Sequence, residues 1–441
     1  MPNKIVISTL GGPEVLKYQE YSLPKNIKNN EVRIKQTAIG LNFIDTYHRS
    51  GIYPLPSELP FCLGMEAAGE VIAIGEDVIN FKIGDRVAYA TPPIGAYCEI
   101  RDFPEEKLIA IPDYISDDEA ASILLQGMTV EYLFERLYKI KKDEIILFHA
   151  AAGGVGLIAC QWARSVGCKM IGTVSTKEKA TLAKEHGCEF IINYKEEKVF
   201  NKVMEITNNQ GVPVVYDGVG KDTFDESIKC LSTRGLMVSF GQSSGMVPEV
   251  DLHKTFNPKS LFYTRPTLMH YNSTRNELET SSNKLFEKIK NKEINENISK
   301  IFALKDAQKA HMELESRSTT GSIIFKTYKL QDFVYIVCFS GIVVAITLFF
   351  MNGVEEVPFP KGAVQFKADG IAQSLLLFFI FTLPLIIYSQ KNLSTLESNE
   401  HSHITINTDD LKSSEKFHND QWEEATQDDL DSGKYELSDE R

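Results

Sequence analysis

At 441 residues the chain is long for one domain, and its net charge of −13 is lopsided: residues 391–441 hold 5 Lys+Arg against 14 Asp+Glu. The first 390 residues therefore carry only −4, which excludes a broad basic field for nucleic acid. The 7 Cys form no Cys-x-x-Cys pair, which excludes a disulfide framework or zinc knuckle and fits single thiols in a reducing compartment; with no apolar stretch before a cleavage site, export is not expected.

Residues 1–125 read as short β-rich segments broken by Gly and Pro: "EVRIKQTAIGLN", "AAGEVIAIG", "GDRVAYA", "AYCEI", with turns at Gly75 and Gly84. From about 144 the pattern alternates. The apolar strand "EIILFH" leads into "GVGLIACQWARSVG", whose apolar residues recur at helical spacing, and the unit repeats through "KMIGTV", "EFIINY" and "VPVVYDGV" to "RGLMVSFG". Such alternation predicts a doubly wound parallel α/β sheet covered by helices over 126–265. Residues 266–327 end in a helix, a Gly and the strand "GSIIFK", and are expected to rejoin the first domain.

Residues 333–351 carry no charge over 19 positions, and 371–388 form a second such run. At about 1.5 Å per residue each can cross a hydrocarbon core of roughly 30 Å, so 331–390 is predicted as a transmembrane hairpin. Lys326, Lys329 and Lys391 flank it and place both ends on the cytoplasmic face. The tail 391–441 is acidic, poor in apolar residues and expected to be disordered.

"HAAAGGVG" (149–156) follows a strand and opens a helix. Gly153, Gly154 and Gly156 there let the backbone approach a pyrophosphate, while the helix start offers unpaired N–H groups. At the end of the next strand, where an NAD enzyme carries an acid for the ribose hydroxyls, the chain reads "GTVSTKEK". Ser175 with Lys177 and Lys179 suits a 2′-phosphate, so NADPH is favoured over NADH.

Six segments together, "GLNFIDTYHRSGIYP", "GMEAAGEV", "GDRVAY", "HAAAGGVGLIACQWA", "VVYDGVG" and "GLMVSFGQSSG", resemble the NADPH:quinone oxidoreductases, the zeta-crystallin-like, zinc-independent branch of the medium-chain dehydrogenase/reductase superfamily. The resemblance covers residues 1 to about 327. It implies a GroES-like catalytic domain (1–125 with 266–327), a Rossmann NADPH domain (126–265), and a homodimer. By the same resemblance Asn42, Asp45, Tyr47 and Tyr53 border the acceptor cleft with Phe43 and Thr46; Gly153, Gly154, Val155 and Gly156 cradle the pyrophosphate; Ser175, Lys179 and Tyr194 serve the adenosine end; Phe240, Gly241 and Gln242 flank the nicotinamide; and Arg317 reaches the cofactor from the returning segment. Read from the residues alone, Tyr47 and Tyr53 could equally be packing aromatics, Asp45 a backbone-orienting acid, His149 a satisfied core histidine and Glu66 the partner of a neighbouring cation.

In the metal-dependent branch a Cys stands where this chain has Asn42 and a His where it has Met65, and the four-Cys lobe for a structural zinc is lacking. Amide and thioether are poor zinc donors, so no metal is expected. Without a Lewis acid, alkoxide oxidation loses its support, whereas a quinone accepts hydride unaided. The leading expectation is an NADPH-dependent quinone reductase at a membrane. Two others stand beside it: reduction of activated C=C bonds in enones or acyl thioesters, and a membrane-tethered NADPH sensor without turnover.

Overall fold

The computed structural model of the chain describes residues 1–327. The apolar runs 333–351 and 371–388 and the acidic tail lie outside the described residues. Within the described residues no helix is long and apolar enough to cross a membrane.

Eight strands open the chain: β1 (Asn3–Ile7), β2 (Lys17–Glu20), β3 (Glu31–Leu41), β4 (Phe61–Cys62), β5 (Glu66–Ile74), β6 (Arg86–Tyr89), β7 (Ile100–Pro104) and β8 (Ile109–Ala110), with helix α1 (Phe43–Ser50) between β3 and β4. β3 is the spine. Its residues alternate between the core and the outer face, burying Val32, Ile34 and Gln36, and β5 runs antiparallel along it with Gly40 opposite Glu66. A Cβ on Gly40 would run into the Glu66 carboxylate and the Ala121 carbonyl, so only glycine lets that acid lie flat against the sheet.

Helix α2 (Asp117–Glu131) starts at Ser116. The Ser116 Oγ accepts the Glu119 N–H at 3.2 Å while Glu119 Oε2 accepts the Ser116 N–H at 2.6 Å, a reciprocal cap followed by acids in the first turn. The helix passes through residue 125 without a break, so the domain boundary expected at 125/126 falls inside it. Past Glu131 it widens into a π turn over Tyr132–Leu137. Nearly every residue from Ala120 to Glu131 is buried, because α2 packs against β3 and β5 on one side and the second domain on the other.

That domain alternates β9 (Ile145–Phe148), α3 (Gly154–Val166), β10 (Lys169–Val174), α4 (Lys177–Glu185), β11 (Phe190–Asn193), α5 (Val199–Ile206), β12 (Val212–Asp217), α6 (Phe224–Cys230), β13 (Leu231–Ser239), the short α7 (Leu252–Phe256) and β14 (Phe262–Thr264). Its strands lie parallel in the order β11-β10-β9-β12-β13-β14. The order reverses between β9 and β12, and the crevice at their carboxyl ends is where a doubly wound sheet binds its ligand.

After α8 (Leu268–Tyr271) and α9 (Arg275–Lys290), the chain forms β15 (Ile298–Ala303), α10 (Ala307–Glu315) and β16 (Ser322–Lys326). β16 pairs antiparallel with β3, placing Ile324 opposite Gly40, and β15 lies parallel outside it. The sheet built around β3 is thus completed by strands almost 300 residues downstream in sequence.

Candidate active site

β3 ends at Leu41, and Asn42 caps α1 in extended conformation. Its side chain is clamped. Nδ2 donates to Glu66 Oε2 at 2.7 Å, and Oδ1 faces Gln126 Nε2 at 3.4 Å. The other Glu66 oxygen accepts the Leu125 N–H at 2.7 Å. Glu66 lies on β5, and its partners are two N–H donors, an amide and a backbone group, in place of the cation that the sequence left open as an alternative. Burial pushes its carboxyl up to about 8 while those two donors pull the other way. Where the metal-dependent branch sets zinc ligands, the donor set here is two amides and a carboxylate already engaged.

Asp45, three residues into the same turn, is buried. Its Oδ2 accepts the Asn42 backbone N–H and the Tyr97 hydroxyl, each at 2.9 Å, while Oδ1 has no partner. The acid therefore orients backbone. Burial raises it to about 7, and the Asn42 and Tyr97 hydrogen bonds oppose that rise. Both acids bind protons more tightly folded than at their ordinary values of 3.8 and 4.5. Their contribution to stability is full below about pH 4 and is lost as pH rises through 7 to 8. The urea midpoint should accordingly fall between pH 5 and 8 more steeply in the wild type than in an Asp45→Asn, Glu66→Gln variant; parallel slopes would mean the two groups titrate alike folded and unfolded.

Tyr47 and Tyr53 meet edge to face, ring centroids 5.3 Å apart. Tyr47 Oη accepts the Gln242 N–H at 3.1 Å, and burial raises the phenol to about 12, so it keeps its proton. Arg265, just past β14, donates to Tyr53 Oη at 2.8 Å and to Gln242 Oε1 at 2.6 Å. Gln242 Nε2 is a buried donor without a partner among the described residues. The two tyrosines are thus tied across the cleft to the second domain. Arg265 and Gln126 were not legible in the sequence; an Arg before Pro and a Gln inside an apolar helix carry no motif. Thr46, expected at the cofactor, donates to the Phe43 carbonyl of its own helix at 2.7 Å. Phe43 packs partly into the core of the first domain.

The glycine loop follows β9. Gly153 caps α3, and a Cβ on Gly156 would run into the Ala150 and Ala151 backbone, whereas one on Gly153 would meet only the Ala150 carbonyl at 3.3 Å. Ala150 itself has φ 56, the left-handed region. Gln126 Oε1 lies against Gly154 and accepts from Ser322 Oγ at 2.9 Å, connecting the loop to Asn42 and to β16. Val155 packs on the second domain's core. A tight turn feeding a 13-residue helix whose start has no side-chain cap among the described residues fits a pyrophosphate.

Across the loop, Asp217 O accepts the Phe240 and Gly241 N–H groups at 3.0 and 3.4 Å, and the Phe240 ring lies against Gly218. Past β10, Ser175 is half-buried, and Lys179 Nζ donates to the Arg317 carbonyl at 2.6 Å. Burial lowers the Lys179 ammonium, with Lys195 adding to it. Arg317 is itself left-handed at φ 57 and reaches Ser243 O at 3.0 Å and Asp222 at 3.4 Å. Tyr194, beside Val174, is exposed. His149 is buried with Thr173 and Ser227 hydroxyls on its two nitrogens.

Residues 28–117 match the alcohol dehydrogenase GroES-like domain family and 154–288 the zinc-binding dehydrogenase family. A Pseudomonas aeruginosa quinone oxidoreductase is 50% identical over 324 residues, 74% of this chain and 99% of that protein. A 2-haloacrylate reductase from a Burkholderia species is 42% identical over 324 residues, 72% of this chain and 97% of that protein. The crystal structure of the Escherichia coli quinone oxidoreductase complexed with NADPH matches with TM-score 0.71 at 49% identity, covering 74% of this chain and 99% of that one. Identity of that order across nearly the whole of such relatives, on the same pair of domains, means that the chain belongs to the quinone oxidoreductase family of the medium-chain dehydrogenase/reductase superfamily.

Proposed function

We propose that this chain is an NADPH-dependent quinone reductase. The observation that carries the reading is the Asn42 amide, clamped between Glu66 and Gln126, whose Gln126 partner also lies against Gly154 at the start of α3. When bound, NADPH supplies the hydride. Gly153, Gly154, Val155 and Gly156 would hold its pyrophosphate, and Ser175, Lys179 and Arg317 the 2′-phosphate end, with Tyr194 flanking the adenosine and Phe240, Gly241 and Gln242 the nicotinamide.

The protein's own contribution is donors for the acceptor oxygen that gains charge. Asn42 Nδ2 has two hydrogens and gives one to Glu66; the other is left for the acceptor. Tyr47 and Tyr53 each accept an N–H from the second domain and so have their own hydroxyl hydrogens to give. None of these groups polarises an unactivated alcohol, but all suit a quinone. Reduction of an activated C=C bond would further require a group that protonates carbon, for which only the tyrosines serve. A steady-state panel of 1,4-benzoquinone, an enone and 2-chloroacrylate with NADPH should show the quinone turned over with the highest kcat/KM; no quinone-dependent NADPH oxidation would refute the reading. In the same assay Lys179→Ala should raise KM for NADPH on the order of tenfold, the loss of one charge-assisted hydrogen bond, and leave NADH within twofold.

The uncharged runs 333–351 and 371–388 support a hairpin that holds the catalytic domains at the cytoplasmic face of a membrane, beside lipid-dissolved quinones. Fractionating cells that express the chain with and without 331–441 tests it. β14 is the last strand of its sheet, and Phe262 and Tyr263 on it are 61% and 43% exposed, which supports edge-to-edge pairing in a homodimer.

A further inference from the structure

A hydrogen-bond chain leaves the last turn of α1, passes through α10 and the segment before β7, and returns to the first turn of α1. Arg49, in the last turn of α1, is only 2% exposed. Its Nε donates to Gly11 O at 3.0 Å, Nη1 meets His311 Nδ1 at 2.8 Å and Nη2 pairs with Glu315 at 2.6 Å. A guanidinium has only hydrogens to give. His311 Nδ1 must therefore present a lone pair, and the neutral ring carries its hydrogen on Nε2. Nε2 lies 3.0 Å from Tyr97 Oη, which lies 2.9 Å from Asp45 Oδ2. With Nε2–H given to Tyr97, the phenol hydrogen goes to Asp45. The chain has one direction, Arg49 to His311 to Tyr97 to Asp45, and it ends on the carboxylate that holds the Asn42 backbone.

We propose that His311, its tautomer set by Arg49, is the positioning residue of the cleft: through Tyr97 it keeps Asp45 an acceptor, and Asp45 fixes the backbone from which the Asn42 amide is aimed. Burial and the neighbouring guanidinium hold His311 down at about 3, so it gains no second hydrogen at working pH. The groups facing Asp45 are Tyr97 from the segment before β7 and Glu66 from β5. One link further stand His311 from α10 and Arg49 from α1. Removing the Tyr97 donor deletes one of the two hydrogen bonds that restrain the rise of Asp45, so Asp45 protonates at higher pH. The kinetic arm of the test rests on the reductase reading; the spectroscopic arm does not.

In 15N-histidine NMR of the full chain, with His311 assigned by its loss in His311→Gln, the Nε2–H tautomer should persist from pH 5 to 9. An Nδ1–H tautomer or a charged ring would overturn the proposal. In kcat/KM profiles with NADPH and 1,4-benzoquinone, Tyr97→Phe and His311→Met should move the acidic limb up by about one pH unit and lower kcat about tenfold, with NADPH affinity within twofold of wild type. His311→Gln, whose amide can accept from Arg49 and donate to Tyr97, should keep the wild-type limb. A wild-type limb in folded Tyr97→Phe also overturns the proposal, and that variant decides the kinetic arm where His311→Met does not fold. If the wild type oxidises no NADPH with quinone, the reductase reading fails and the tautomer alone decides this one.

Discussion

At pH 9, where the Glu66 carboxyl, pushed up to about 8 by burial, is ionised, Glu66→Gln is expected to lower kcat by about a hundredfold while leaving NADPH affinity within twofold. The carboxylate accepts from two donors at once, Leu125 N–H and Asn42 Nδ2. An amide has one oxygen. If it stays on Leu125, its NH2 group meets the Asn42 NH2 group, and Asn42 must turn over. The turned amide then presents hydrogens to Gln126 Nε2, itself a donor at 3.4 Å from the present oxygen. One exchanged atom thus displaces the hydrogen that meets the acceptor, and a misplacement of about 1 Å can cost about 10²-fold in rate. Stability should move little, because the unpaired donors, about 1–3 kcal/mol, are offset by removal of a buried acid whose ionised form is penalised. Steady-state kinetics beside thermal unfolding separates the two effects. A wild-type kcat would show that Asn42 is not held by Glu66.

Gly156→Val is expected to weaken NADPH binding at least about a hundredfold and to destabilise the fold by about 1–3 kcal/mol, the usual cost of overpacking. The new Cβ would overlap the Ala150 carbonyl and lie 2.7 Å from Ala151 backbone atoms. Those atoms are backbone, in a turn already pinned by Ala150 N and Ala151 N to Thr173. They cannot rotate away, so the turn must open and with it the cradle. Isothermal titration with NADPH and a urea curve measure the two expectations. Full affinity in the variant would place the cofactor elsewhere.

The strand-and-helix alternation of 144–239 was legible because each strand there is dominated by apolar residues and the intervening helices begin or end at turn residues. The glycine loop was legible for the same local reason: a phosphate cradle is built from consecutive backbone groups. Helix α2 was not. Its residues are apolar on nearly every face, a pattern that shows burial without naming the neighbours, and so no signal keeps the expected domain boundary out of its middle. The partners of Glu66 are not legible either, because an isolated acid in sequence has no visible partner.

Local chemistry in the chain order therefore determined the α/β alternation of the second domain and the strand–glycine-turn–helix at its head, while the comparison of Asn42 and Met65 with metal ligands came from the family resemblance. Tertiary structure alone decided that Asn42 is clamped between β5 and α2, that Arg265 ties Tyr53 to Gln242, and that Arg49 and His311, 262 residues apart, meet end to end. The reason is physical: a hydrogen bond between distant residues depends on where whole strands and helices come to rest, and that placement is fixed by packing, which leaves no periodicity in the sequence to read.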